Sequence, residues 1–494
     1  MESNNKKVIK NSVLYISTNL IIRCFNFFLL PLYTTYLTTA DYGIMTLVAS
    51  FSGTISIVLS VGLNYAVPRF YVEYKENHEK VKRFFGTLIF TTFAVGILFC
   101  AIYFATHNFL DEIFFSGMSF FPIIFIAVIS LVFNAVQGIY VAILYAMQDG
   151  RRAMLRSIMF FCTNLFFNLL FVVGFRVGAL GVILAGLIAN VLLCGYAIFD
   201  LNKRDILMVC IDFAILKENI RYSIFFLPYS MSSQIAQWVS KLFVNTSFKL
   251  AVVGIFGLAL QFGMIADNIQ SSIYSAVKPW IFNHIKKAEE KGYKEAKKYS
   301  LLICWLCCAV FMLIAIFSQE VILLFLNKDY AKAWTLVPVV VATCYIKIPF
   351  YFYLALASYS KNASKWIFAA TLISSAINII LSYILIQRYG MYGSIFADAI
   401  AMVIRVVIIV LIAKDYNVVK YKIGEFYLII ITSMIITAIG LALSYTRYLY
   451  EINIVNVLYK IGICIVFMGV VLFRYRKMIV PVIRKRLGRN LTVN

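Results

Sequence analysis

Apolar runs of about 18–25 residues follow one another along the whole chain, separated by short clusters of charged and polar residues. That length matches a helix crossing a hydrocarbon core of about 30 Å, and the two-residue alternation of membrane barrel strands is absent. The pattern predicts fourteen spans, at roughly 12–37, 44–67, 84–106, 120–147, 157–175, 179–199, 223–247, 251–274, 300–318, 336–357, 366–387, 391–412, 426–444 and 456–473. The fold class is therefore an all-α polytopic membrane protein with both termini on one side.

The polar segments choose that side. One set holds Lys6, Lys7 and Lys10, then 69–83, 151–156, 203–221, 278–298, Lys361 and Lys365, 414–422 and 474–489. Together these carry 34 of the 45 lysines and arginines. The opposite loops carry six: Arg176, Lys249, Lys328, Lys332, Arg388 and Arg447. The basic set belongs to the cytoplasm, which puts the chain in a cell membrane with cytoplasmic termini. Reporters active on opposite sides, fused at Asn494 and within 108–119, check this; an externally active C-terminal fusion in a working protein would overturn it.

A repeat organises the spans. At a shift of 211, Gly43, Ile44, Leu47 and Phe51 fall on Gly254, Ile255, Leu258 and Phe262. Further on, Ser60, Pro68, Lys75, Glu79 and Lys80 fall on Ser271, Pro279, Lys286, Glu290 and Lys291. Asn168 matches Asn378 at a shift of 210, and Gly178, Gly181 and Ala185 match Gly390, Gly393 and Ala397 at 212. Two parallel six-span lobes follow, 1–200 and 223–415, joined by a cytoplasmic linker at 201–222. Residues 416–494 hold two further spans and a basic tail. The part of the linker from Ile206 to Leu216 is apolar enough to lie in the membrane interface.

Composition removes several function classes. The chain is 62% hydrophobic and 14% charged, so its net charge of +23 reflects orientation signals between spans rather than nucleic-acid binding. Cys304, Cys307 and Cys308 lie in an apolar run without His or acidic neighbours and read as packing, not as a metal site. No nucleotide-binding loop, nucleophile motif or large external loop is present. The chain is not read as an enzyme and no catalytic residue or metal is assigned.

Charges within spans are expensive, so they are the functional candidates. Arg23 lies about eleven residues into the first span, about 16 Å deep. It stands in a stripe with Asn19 and Asn26; the seventh span carries the equivalent stripe Gln234, Gln237 and Lys241. Both spacings place the residues on one helical face. Lys347 and Arg405 lie near mid-span. Asp267 is an ion-coupling or structural carboxylate, and Asp398, seven residues before Arg405, pairs with a lysine or acts alone. Four deep cations against two carboxylates suit an anionic, phosphate-bearing substrate, with amide and hydroxyl groups for sugars.

Pro31-Leu-Tyr-Thr-Thr-Tyr-Leu-Thr-Thr-Ala-Asp-Tyr-Gly43, Gly62-Leu, Pro68-Arg-Phe-Tyr71, Tyr145-Ala-Met-Gln-Asp-Gly-Arg-Arg152 and Asn378 with Ile386-Gln-Arg-Tyr-Gly-Met-Tyr-Gly393 resemble the Wzx-type O-antigen and polysaccharide flippases. These are bacterial exporters of the multidrug/oligosaccharidyl-lipid/polysaccharide superfamily, and the resemblance covers nearly the whole chain. It implies two six-helix lobes about a V-shaped cavity, alternating access, and an undecaprenyl-diphosphate-linked oligosaccharide as cargo in the bacterial inner membrane. It also implies cationic first-span residues lining the cavity, where Arg23 stands, and a lipid-accommodating groove at the last two helices. Membrane lipids, a polysaccharide polymerase and a chain-length regulator are the partners that follow. No cofactor is assigned, and coupling to Na+ or H+ stays open. The alternatives are a drug/cation antiporter of the same superfamily, a membrane polymerase or glycosyltransferase, and an assembly protein.

Overall fold

The computed structural model describes residues 29–489, apart from 225, 288–289, 361–362 and 364; for 229, 276, 279, 283–287, 291 and 474–489 only the backbone is described. The expected first span, with Asn19, Arg23 and Asn26, therefore lies outside the described residues except for α1 (Leu30–Tyr36).

The helices that follow are α2 (Thr39–Leu59), α3 (Leu63–Tyr74), α4 (His78–Ala105), α5 (His107–Phe114), α6 (Phe125–Ala146), α7 (Gly150–Asn168), α8 (Gly178–Lys203) and α9 (Phe213–Ser223). Next come α10 (Leu227–Ser247), α11 (Leu250–Lys287), α12 (Glu290–Phe325), α13 (Val337–Tyr359), α14 (Ile367–Tyr389), α15 (Met391–Ala413), α16 (Ile423–Thr446) and α17 (Ile454–Arg489). Among the described residues, twelve helical stretches are long and apolar enough to cross a membrane, one for each expected span from the second to the sixth and from the eighth to the fourteenth. The seventh, α10, is a 21-residue helix whose serines, glutamines and Lys241 keep it out of that apolar set. The protein is a multi-pass, all-α membrane protein, because helices satisfy every backbone group internally where water is missing.

The described chain forms two compact units. One runs from the described N-terminal residues to Gly257 and includes Thr371–Ala397; the other comprises Leu258–Ala370 and the residues from Asp398 onward. In the first unit, the expected span 44–67 is broken. Val61 and Gly62 adopt φ of 49° and 67°, ending α2 and starting α3. The left-handed conformation is uncommon for a β-branched residue, so no apolar pattern announces this turn.

The repeat has a physical counterpart here. A Cβ on Gly43 would lie 2.0 Å from the Leu250 carbonyl oxygen, and one on Gly254 would lie 1.9 Å from the Thr39 carbonyl oxygen. A Cβ on Gly257 would lie 2.6 Å from the Thr46 side chain. Thr39, Gly43 and Thr46 are related to Leu250, Gly254 and Gly257 by the same shift of 211. The first turns of α2 and α11 therefore cross backbone to backbone, each glycine admitting the other helix. The turn glycines Gly178 and Gly390, matched in sequence, also share a positive φ, of 62° and 60°.

Residues of the resembling motifs hold this unit together. Thr38 and Asp41 form a capping box at α2. Asp41 Oδ1 also accepts the Ala179 N–H at the start of α8, 3.2 Å away, and leaves room there only for Gly178. Asp149 caps α7 and pairs with Arg152 at 2.9 Å and Arg204 at 3.5 Å, while Asp200 takes Arg204 at 2.5 Å and the Tyr140 hydroxyl at 2.8 Å. The 145–152 motif is thus a clamp joining α6, α7 and α8.

The linker packs on α4. Met208 N–H donates to Lys82 O at 3.3 Å, Gly86 approaches the Met208 carbonyl, and Asp212 N–H donates to Thr87 Oγ1 at 3.0 Å. Lys82 and His78 donate to Asp205 and hold its carboxyl below the usual carboxylate range. Val209 and Phe213 stay exposed.

In the second unit, α12, α13, α16 and α17 pack around buried Cys304, Cys307 and Cys308. The Tyr345 hydroxyl donates to Cys308 O and lies 3.1 Å from Thr437 Oγ1. The three cysteines fill space, as their apolar surroundings predict.

Candidate functional site

Each unit carries candidate side chains within its helices. In the first, α10 packs on α2 through Trp238, whose ring meets Phe51 edge-on at 5.3 Å and Phe114 at 5.0 Å. This anchor fixes the rotation of α10. Ser240, on another face, lies 3.1 Å from Ser382 Oγ and donates to Asn378 Oδ1 at 3.4 Å, so the repeat-matched Asn378 docks α14 on α10.

The predicted stripe is left with accessible surface. Gln234 and Gln237 are exposed, and Lys241 is half-buried. A Cβ on Gly53 would lie 3.7 Å from Gln234 Oε1, so α2 has a gap in front of that amide. Lys241 Nζ donates to Ser50 Oγ at 2.5 Å. Among the described residues it has no ion pair with a carboxylate. A cation held by a neutral hydroxyl keeps most of its attraction for an incoming anion.

In the second unit the structure brings together Asp267, Lys347, Asp398 and Arg405. Thr343, Lys347 and Tyr351 recur every four residues on one face of α13. Lys347 Nζ pairs with Asp267 Oδ1 at 2.6 Å, and the Tyr351 hydroxyl donates to the same oxygen at 3.4 Å. Lys347 also lies 5.3 Å from the Tyr351 ring centroid. Thr343 Oγ1 donates to Val340 O at 2.8 Å, and Asp398 stands in the field of Arg405, Lys347 and Asp267. Two cations and two carboxylates thus share this region, with Lys347 and Asp267 in direct contact. Lys241, by contrast, has a neutral hydroxyl as its partner among the described residues.

A further charged pair escaped sequence reading. Lys460, fully buried, donates to Glu320 Oε1 at 2.6 Å and Gln319 Oε1 at 2.9 Å. Asn456 joins Gln319 Oε1 to Ser444 Oγ, and Gln319 Nε2 donates to Tyr448 O. The network ties α17 to α12 and α16. Glu320 lies two residues beyond the expected span end at 318 and so read as loop; Lys460 and Asn456, spaced i and i+4, were the available signal.

Between α13 and α16 lies a groove of about 330 Å³, lined by Val339, Ala342, Tyr345, Met434, Ala438 and Leu441 among others. It runs beside α16, the expected thirteenth span. Its lining residues come from α13 and α16.

Residues 8–285 match the family model described as polysaccharide biosynthesis protein. No curated protein matches the chain. Among solved structures it is similar to the lipid II flippase MurJ in an inward closed conformation, with a TM-score of 0.69 and 17% identity over 95% of this chain and 100% of that one. It is also similar to an inward-facing multidrug resistance MATE family transporter of the MOP superfamily (TM-score 0.58, 15% identity, 80% of this chain and 97% of that one). A third similar structure is a MOP superfamily transporter from Pyrococcus furiosus, noted for the reverse polarity of its binding pocket (TM-score 0.59, 14% identity, 84% and 97%). The fold is that of the MOP transporters and flippases.

Proposed function

The chain belongs to the polysaccharide biosynthesis protein family, and from that premise we propose that it flips an undecaprenyl-diphosphate-linked oligosaccharide from the cytoplasmic to the outer leaflet. The product feeds O-antigen, capsule or exopolysaccharide assembly, where a polymerase and a chain-length regulator act next. The lobes 1–200 and 223–415 alternate access, with both termini in the cytoplasm. The observation that carries this reading is Lys241: a cation inside a span, on a stripe of exposed amides, with a hydroxyl as its partner among the described residues. A diphosphate supplies the missing counter-charge, and Gln234 and Gln237 offer donors and acceptors to sugar hydroxyls. The groove beside α16 offers apolar walls to a prenyl chain. A cationic drug would meet a like charge at Lys241, which disfavours the antiporter reading.

Arg23, outside the described residues, is the matching cation of the first stripe and the test of this reading. A buried guanidinium needs a partner, and a diphosphate takes it with two hydrogen bonds. Arg23→Ala is expected to cut glycan export about tenfold or more, and Arg23→Lys, which keeps charge but loses the fork, is expected to be partly active. Export is measured in a flippase-null strain and normalised to membrane protein level. Full export by Arg23→Ala at normal abundance would remove Arg23 from the mechanism.

A further inference from the structure

Lys347 cannot serve Asp267 and a phosphate equally at the same moment. Its ammonium lies 2.6 Å from Asp267 Oδ1 and within reach of the Tyr351 ring. Carboxylate and phosphate oxygens are the same kind of acceptor for it, so one displaces the other. The pair is also open to exchange. The Asp267 side chain keeps 38% of its surface and Lys347 18%, against 11% and 0% for the Glu320–Lys460 pair. Both pairs lie within helices where an uncompensated charge is costly. One is sealed, as a structural pair would be; the other is accessible, as a working pair would be.

We propose that Asp267 is an internal counter-anion for the cargo. It holds Lys347 when the carrier is empty, yields it to the diphosphate, and reclaims it as the product leaves. The inference rests on the flippase reading and adds a role to it: Asp267 weakens binding and speeds release. Tyr351 steadies Asp267 through its hydroxyl and is a positioning residue. The exchange moves no covalent bond; one ion pair breaks as another forms.

The experiment uses the purified full-length chain, titrated with undecaprenyl diphosphate, alongside glycan export in cells. Asp267→Asn is expected to bind the lipid about tenfold more tightly and to export more slowly at equal abundance. Tyr351→Phe keeps every charge, so it serves even if the asparagine variant does not accumulate; it is expected to tighten binding about twofold. Lys347→Met is expected to erase the gain when combined with Asp267→Asn. Unchanged or weaker binding in either single variant would overturn the role of Asp267. Wild-type protein that binds no undecaprenyl diphosphate would instead overturn the flippase reading on which it rests.

Discussion

Gly254→Leu should leave several-fold less protein in the membrane than the parent chain. At this crossing a Cβ would lie 1.9 Å from the Thr39 carbonyl oxygen and 3.0 Å from the Gly43 nitrogen. Both obstacles are backbone, so no side-chain rotation relieves them, and α2 and α11 must separate along their first turns. Overpacking a tight contact costs about 1–3 kcal/mol, and a backbone clash lies at the upper end of that range or beyond. Gly43→Leu should behave alike, because its Cβ meets the Leu250 carbonyl in the mirrored position. Gly138→Leu is the control: a Cβ there meets nothing within 4 Å. Membrane abundance and the unfolding temperature in detergent are the readouts. Parent-like values for Gly254→Leu would mean that the helices do not cross this closely.

Lys241→Met should abolish most export, by about tenfold or more, while membrane abundance stays at the parent level. Methionine keeps most of the stem and its packing. The hydroxyl it abandons, Ser50 Oγ, still donates to Thr46 O at 2.9 Å, so no carboxylate is stranded among the described residues. Lys347→Met should differ in kind. It strands the Asp267 carboxylate and lowers abundance, because removing one partner leaves the other charge unpaired. The contrast separates a cation held by a neutral hydroxyl from one that a protein carboxylate holds in the empty carrier. Normal glycan export by Lys241→Met in a flippase-null strain would remove the α10 stripe from substrate binding.

The fold class and nearly every span were legible in the chain, since a run of apolar residues long enough to cross a bilayer leaves the backbone no alternative to a helix. The glycines that meet at the α2–α11 crossing stood at repeat-related positions in the chain, and the α10 residues share one face because a helical face is a property of local spacing. What the chain could not disclose was which distant groups meet. Asp267 and Lys347 lie in different spans, and pattern alone offered Asp267 as an ion carrier or a structural carboxylate; the packing of α11 against α13 chose Lys347 as its partner. Asp41 and Gly178 both stood out in sequence, but only the fold joins them at the start of α8. The turn at Val61 lay inside an unbroken apolar run, and the Glu320–Lys460 pair was hidden because Glu320 lay just past an expected helix end. Local periodicity determines which residues become helix and which face is polar. Partners, sealed or accessible, depend on how helices far apart in sequence are rotated against one another, and that rotation is set by close contacts such as Trp238 on Phe51 and Gly43 on Leu250.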